Sequence, residues 1–225
     1  MTKPNFIEIA VVLDRSGSMA SVRSDTIGGF NAFVTDQRKN LGEVKLSLAQ
    51  FDDFYEVVYD GKPILEVPLL TEATFVPRGC TALLDAVGKT INALGERLAK
   101  TPEHLRPSLV VFVILTDGME NASKEFKLEQ VKEMIKHQTE KYSWQFVFLG
   151  ADQNAFQATQ MGIHTANTYN FKSVDTVATY SNLSRGISHL SETMVTCDSF
   201  TATSAAANLG DMMREYDKKK DEGKV

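Results

Sequence analysis

The sequence predicts an α/β fold of three layers, a mostly parallel central sheet with helices on both faces. Three observations carry this expectation. Two apolar runs, Ile7-Glu8-Ile9-Ala10-Val11-Val12-Leu13 and Leu109-Val110-Val111-Phe112-Val113-Ile114-Leu115, are nearly continuous and rich in β-branched residues, as strands covered on both faces are. Each run stops on polar residues, Asp14 in the first and Thr116-Asp117-Gly118 in the second. Between and after them apolar residues recur at helical spacing, so strand and helix alternate along the chain.

The first strand gives way to a loop of small residues, Ser16 to Ala20, after which Ile27, Phe30, Val34 and Leu41 mark a helix. Val44 to Phe51 and Tyr55 to Tyr59 read as two strands around the turn Asp52-Asp53, with Ile64 to Leu70 as a candidate third, which together suggest a hairpin-like edge. Pro77 and Gly79 mark a loop before the helical stripe Leu84, Val87, Ile91, Leu94 and Leu98, which stops near Pro102. The central strand over 109–115 is followed by a helix from about Leu128 to Lys141, a strand from Gln145 to Leu149 and a helix near Asn154 to Met161. A short strand, Thr168 to Phe171, and a helix from Val174 to about Leu190 complete the alternation. No repeat or long linker divides the chain. One domain is expected over residues 1–192, with 193–225 as a C-terminal extension, helical or partly disordered, that ends in a lysine-rich, acid-flanked segment.

Composition narrows the function. The 225 residues, 43% hydrophobic and 24% charged, supply a real core and exclude wholesale disorder. A formal net charge of -5 and a pI near 5.4 leave no positive field for phosphate backbones, so a nucleic-acid partner is not expected. Cys80 and Cys197 lie far apart without CxxC spacing, which argues against a disulfide framework or a thiolate zinc site. Met1-Thr2-Lys3-Pro4-Asn5 runs straight into a strand-length segment with no signal-type stretch, so the expected setting is cytoplasmic, without a membrane partner.

In open α/β sheets ligands bind outside the carboxyl ends of the strands. Three loops there carry chemistry. Asp14-Arg15-Ser16-Gly17-Ser18 offers a carboxylate and two hydroxyls on alternate positions; Gly79-Cys80-Thr81 offers a hydroxyl before a helix; Leu115-Thr116-Asp117-Gly118 offers a second carboxylate. Two carboxylates and three hydroxyls form an oxygen-only donor set that suits a hard divalent cation, Mg²⁺ first, with Mn²⁺ or Ca²⁺ possible. The two charges only neutralise such an ion. It would stay a strong Lewis acid with a place for an incoming carboxylate.

The strand-end Asp14-x-Ser16-x-Ser18, Thr81 in Arg-Gly-Cys-Thr-Ala-Leu-Leu-Asp-Ala and Asp117 in Leu-Thr-Asp-Gly resemble the metal-ion-dependent adhesion site of von Willebrand factor type A domains. All five positions occur in the family's order, and the resemblance covers roughly residues 5 to 192. It implies a Rossmann-like sheet with one antiparallel edge strand. It also implies Ser16 and Ser18 as direct ligands, Thr81 as a ligand directly or through water, and Asp14 and Asp117 as ligands largely through water. The function implied is capture of an Asp or Glu from a partner protein, without catalysis.

Two other functions fit parts of the pattern. One is a regulatory subunit of a separate AAA+ ATPase, as some members of the family are. The other is a magnesium-dependent phosphatase with Asp14 as nucleophile, but such enzymes need a second Asp two residues on, where Ser16 stands. Val87-Gly88-Lys89-Thr90 mimics the end of a phosphate-binding loop but lacks the upstream glycine, since position 83 is Leu83. His104, His137, His164 and His189 suggest no nucleophilic arrangement. Cys80 reads as a small packing residue, Asp152 as a helix cap that could also shape the rim, and Met19, Met119 and Phe126 as either an apolar rim or core.

Overall fold

A computed structural model of the chain describes residues 2–40, 42–150, 155–170 and 180–188. Its strands are β1 (Lys3–Asp14), β2 (Glu43–Phe51), β3 (Tyr55–Pro63), β4 (Pro107–Thr116), β5 (Gln145–Gly150) and β6 (Thr168–Asn170). Its α-helices are α1 (Arg23–Gln37), α2 (Leu83–Lys100), α3 (Leu128–Tyr142), α4 (Ala155–Gln160) and a last one, α5, over residues 180–188. The sheet runs β3-β2-β1-β4-β5-β6. Every pairing is parallel except that of β2 with β3, so the sheet is Rossmann-like with one antiparallel edge strand.

The apolar runs are continuous because both faces are covered. Ile7, Ile9, Val11 and Leu13 of β1 point into a core shared with α1 and α5, through Phe30, Phe33, Tyr180, Leu183 and Ile187. Ala10 and Val12 point the other way, into a core completed by α2, α3 and α4 through Val87, Ile91, Val131, Ile135, Ala158 and Met161. Successive strand residues face opposite sides, so β1 and β4 must be apolar at nearly every position. Glu8, the one charged residue in the first run, is fully buried and receives the Arg97 guanidinium from α2 at 2.8 Å.

The expected third strand over Ile64 to Leu70 is not formed. A 3-10 turn, Ile64–Glu66, stands there, and the chain then packs along α1 with Ile64, Val67 and Leu70 buried. Side chains of α1 and of Arg38, just beyond its end, take the segment's backbone hydrogen bonds in place of a strand: Asn31 brackets Leu70 at 2.8 and 2.9 Å, and Arg38 donates to the carbonyls of Ile64 and Val67 at 3.3 and 2.6 Å. The apolar spacing of three in this segment belongs to a turn over the core, with Leu65 exposed. Leu41, Asp152, His189, Cys197 and the extension over 193–225 lie outside the described residues, as does the start of the helix expected from Val174.

Candidate metal centre

The register Leu13↔Leu115 puts the carboxyl ends of β1 and β4 side by side, so Asp14 and Thr116 emerge at one edge. Asp14 is fully buried, with both oxygens engaged: Ser16 N–H donates to Oδ1 at 2.6 Å and the Thr116 hydroxyl to Oδ2 at 2.5 Å. The Ser16 and Ser18 hydroxyls lie 3.1 Å apart, and Ser18 Oγ donates to Asp117 Oδ1 at 2.6 Å. A Cβ built on Gly118 would meet Thr81 Oγ1 at 2.6 Å, Asp14 Oδ2 at 3.2 Å and Ser16 Oγ at 3.3 Å. The five residues therefore form one cluster, and a glycine is required where three of their oxygens converge.

The donor set fits a hard cation on two further observations. Thr81 is buried, 3% exposed, and no N-cap side chain closes the first turn of α2 that follows it. Burial pushes the Asp14 carboxyl up from 3.8 to about 6, and the neighbouring Asp117 charge adds to the rise against the hydrogen bonds from Thr116 and Ser16. Burial also raises the Asp117 carboxyl. Two crowded carboxylates whose charge is disfavoured by burial are what a divalent cation would compensate. Among the described residues no group of three or more His, Cys, Asp and Glu side chains assembles that could hold a metal ion.

Residues to which the sequence reading gave no role hold these loops. Asp52, at the end of β2 and 1% exposed, accepts Arg15 Nε at 3.0 Å and Arg78 Nε at 2.7 Å, while its carbonyl accepts Ala82 N–H at 3.1 Å. Burial alone would raise its carboxyl, but Arg78, the Phe54 amide and Arg15 hold it below the usual range. Gly17 N–H donates to the Gly79 carbonyl at 3.1 Å, and Gly79 takes a positive φ of 67° with Asp53 packed so close that a Cβ would strike it. Asn121 accepts the Thr81 amide at 2.9 Å. One usable signal was present: Arg15 sits inside the strand-end motif, and an arginine buried there needs an acid.

Other expectations change. Met19 is fully buried and Phe126 packs against Gly88, so of the three candidate rim residues only Met119 is exposed. Cys80 is exposed, not a packing residue, because its amide is held by Asp53 at 2.7 Å with the chain on the surface. Val87-Gly88-Lys89-Thr90 lies within α2, remote from any phosphate-loop geometry.

No sequence family and no curated protein matches the chain. Solved structures do. The vWF domain of the type V pili tip protein Mfa5 from Porphyromonas gingivalis is similar with a TM-score of 0.61 at 10% identity, over 89% of this chain and 99% of that one. Manganese-loaded TRAP protein of Plasmodium vivax is similar with a TM-score of 0.52 at 13% identity, over 77% and 71%. The mussel byssus protein PTMP1, with a zinc-occupied MIDAS motif, is similar with a TM-score of 0.56 at 12% identity, over 80% of this chain and 47% of that one. This chain thus spans about half the length of PTMP1. The fold is that of von Willebrand factor type A domains.

Proposed function

We propose that this chain is a metal-ion-dependent protein-binding module in which Asp14, Ser16, Ser18, Thr81 and Asp117 hold one divalent cation, Mg²⁺ first, that captures an acidic side chain of a partner. The observation that carries the reading is the convergence of Thr81 Oγ1, Asp14 Oδ2 and Ser16 Oγ beside Gly118, with Ser18 and Asp117 adjoining. Manganese in TRAP and zinc in PTMP1 support the general idea of a divalent ion in this fold.

The bound ion would supply a Lewis-acid position to which a carboxylate from outside can bind directly. The chain's own residues do the rest. Asp14 and Asp117 provide two negative charges, enough for neutrality but not an excess, so a third anion is attracted and a lysine or amide is not. Thr116 and the Ser16 amide fix the orientation of Asp14, and Ser18 fixes Asp117. Met119, 56% exposed beside Gly118, gives the rim one apolar contact. No reaction is assigned to the chain. Among the described residues no helix is long and apolar enough to cross a membrane, and a cytoplasmic setting stays part of the proposal.

A displayed-peptide library selected on the protein in Mg²⁺ tests the reading. Enriched peptides should share one Asp or Glu and elute in EDTA, and changing that acid to its amide should cost about 2–4 kcal/mol. Peptides that stay bound in EDTA, or that bind Asp117→Asn equally well, would contradict it.

A further inference from the structure

The first turn of α2 leaves main-chain N–H groups that a local cap normally satisfies, and no side chain at its N-terminus does so. The partners come from the loop after β4. Glu120 Oε2 accepts Leu84 N–H at 2.9 Å, and Ser123 Oγ accepts Asp85 N–H at 3.0 Å. Asp85 answers in the opposite direction: its Oδ2 accepts Lys124 N–H at 2.8 Å and its Oδ1 accepts Glu125 and Phe126 N–H at 2.9 and 2.8 Å. One helical turn on, Gly88 lets the Phe126 ring lie where a Cβ would be, within 2.6 Å.

The same loop begins at Asp117 and holds both polar groups of the Thr81 peptide. Asn121 Oδ1 accepts Thr81 N–H, and Asn121 and Ala122 N–H donate to the Thr81 carbonyl at 3.0 and 3.3 Å. Thr81 and Asp117 therefore sit at the two ends of one closed, reciprocally bonded unit. Its central member is Asp85, only 7% exposed, which alone takes three of the loop's amides.

We propose that Asp85 is a positioning residue that locks the Thr81 loop to the Asp117 loop, so that both halves of the metal cluster move as one body and the site is held in a single arrangement. This rests on the metal reading above. An acid on the buried side of a helix is costly unless fully bonded, and here the bonds it makes are the ones that tie the two loops. Its loss would free three amides, and through them the Glu120 and Asn121 contacts that hold residues 81 to 84.

Amide hydrogen exchange and Mn²⁺ calorimetry on wild type, Asp85→Ala and Asp85→Asn test the proposal. In Asp85→Ala the amides of Thr81 and Leu84, neither of which bonds to Asp85, should lose protection together with those of residues 124–126, while β4 amides 111–114 stay protected. Mn²⁺ affinity should fall about 10- to 100-fold, as for other residues that orient metal ligands. Asp85→Asn, which keeps one acceptor oxygen, should recover much of both effects and serves if Asp85→Ala does not fold. Unchanged exchange at Thr81 and Leu84, or exchange that rises equally in β4, would overturn the coupling. Wild-type protein that binds no Mn²⁺ would overturn the metal reading, and the exchange pattern would still decide the coupling.

Discussion

The Thr116 hydroxyl reaches Asp14 Oδ2 at 2.5 Å across the paired ends of β4 and β1, one of the hydrogen bonds that keep a fully buried carboxyl oriented towards Gly118. Burial still raises that carboxyl to about 6. Its folded value lies above the ordinary 3.8, so the proton favours the folded state and ionisation costs stability. The cation-free protein should therefore lose about 3 kcal/mol from this residue as pH rises from about 4 to 6, with no further change from it above that. A divalent cation competes with the same proton. Its affinity should climb with pH through 5 to 7, and melting curves with and without Mg²⁺ across that range check both slopes.

Gly118→Ala places a methyl group at the point where Thr81, Asp14 and Ser16 oxygens converge. Gly118 carries no positive φ, so backbone strain does not enter. The expected result is a loss of cation affinity of at least about tenfold, on the scale of changes that disturb metal ligands, with the fold retained. Calorimetry with Mg²⁺ and circular dichroism measure the two effects separately.

The neighbouring glycines of α1 should respond in opposite directions. Gly28 is exposed with open space at its Cβ position, and Gly28→Ala should stabilise the protein by about 0.5–1 kcal/mol through helix propensity. Gly29 faces Tyr180 of α5, where a Cβ would lie 2.3 Å from the ring, and Gly29→Ala should cost about 1–3 kcal/mol by overpacking. Denaturant melts of the two variants check the docking of α5 on α1. Equal shifts would contradict it.

The C-terminal elements belong to the same cores: Ala158 and Met161 lie on one face of the sheet, and Leu183 and Ile187 on the other. A fragment that ends at Leu149 should therefore fail to fold, and a cooperative melt of residues 1–149 would contradict this.

The alternation of strands and helices was legible because periodicity reports burial directly: Ile7 to Leu13 and Leu109 to Leu115 fall on strands paired side by side. That Asp14, Ser16, Ser18, Thr81 and Asp117 come together at one edge of the sheet was legible because each follows a strand end or precedes a helix, where ligand chemistry gathers in this fold class. The segment Ile64 to Leu70 was not, because its backbone is satisfied by Asn31 and Arg38 from a distant helix, a tertiary effect that local pattern does not encode. Met19 and Phe126 were ambiguous for the same reason. The supporting shell of Asp52, Asp85, Glu120 and Asn121 makes contacts between loops far apart in sequence. Only an acid on the apolar side of the first turn of α2 hinted that Asp85 had a partner to meet.

The metal site is tested by a calorimetric titration of Mn²⁺ or Mg²⁺ into the wild-type protein and into Asp14→Ala and Asp117→Ala at pH 7. One ion per chain should bind, with affinity roughly micromolar to millimolar because three of the five proposed donors are neutral oxygens, and neither variant should show saturable binding. Absence of saturable binding in the wild type, or the same affinity in Asp14→Ala, would contradict the metal site.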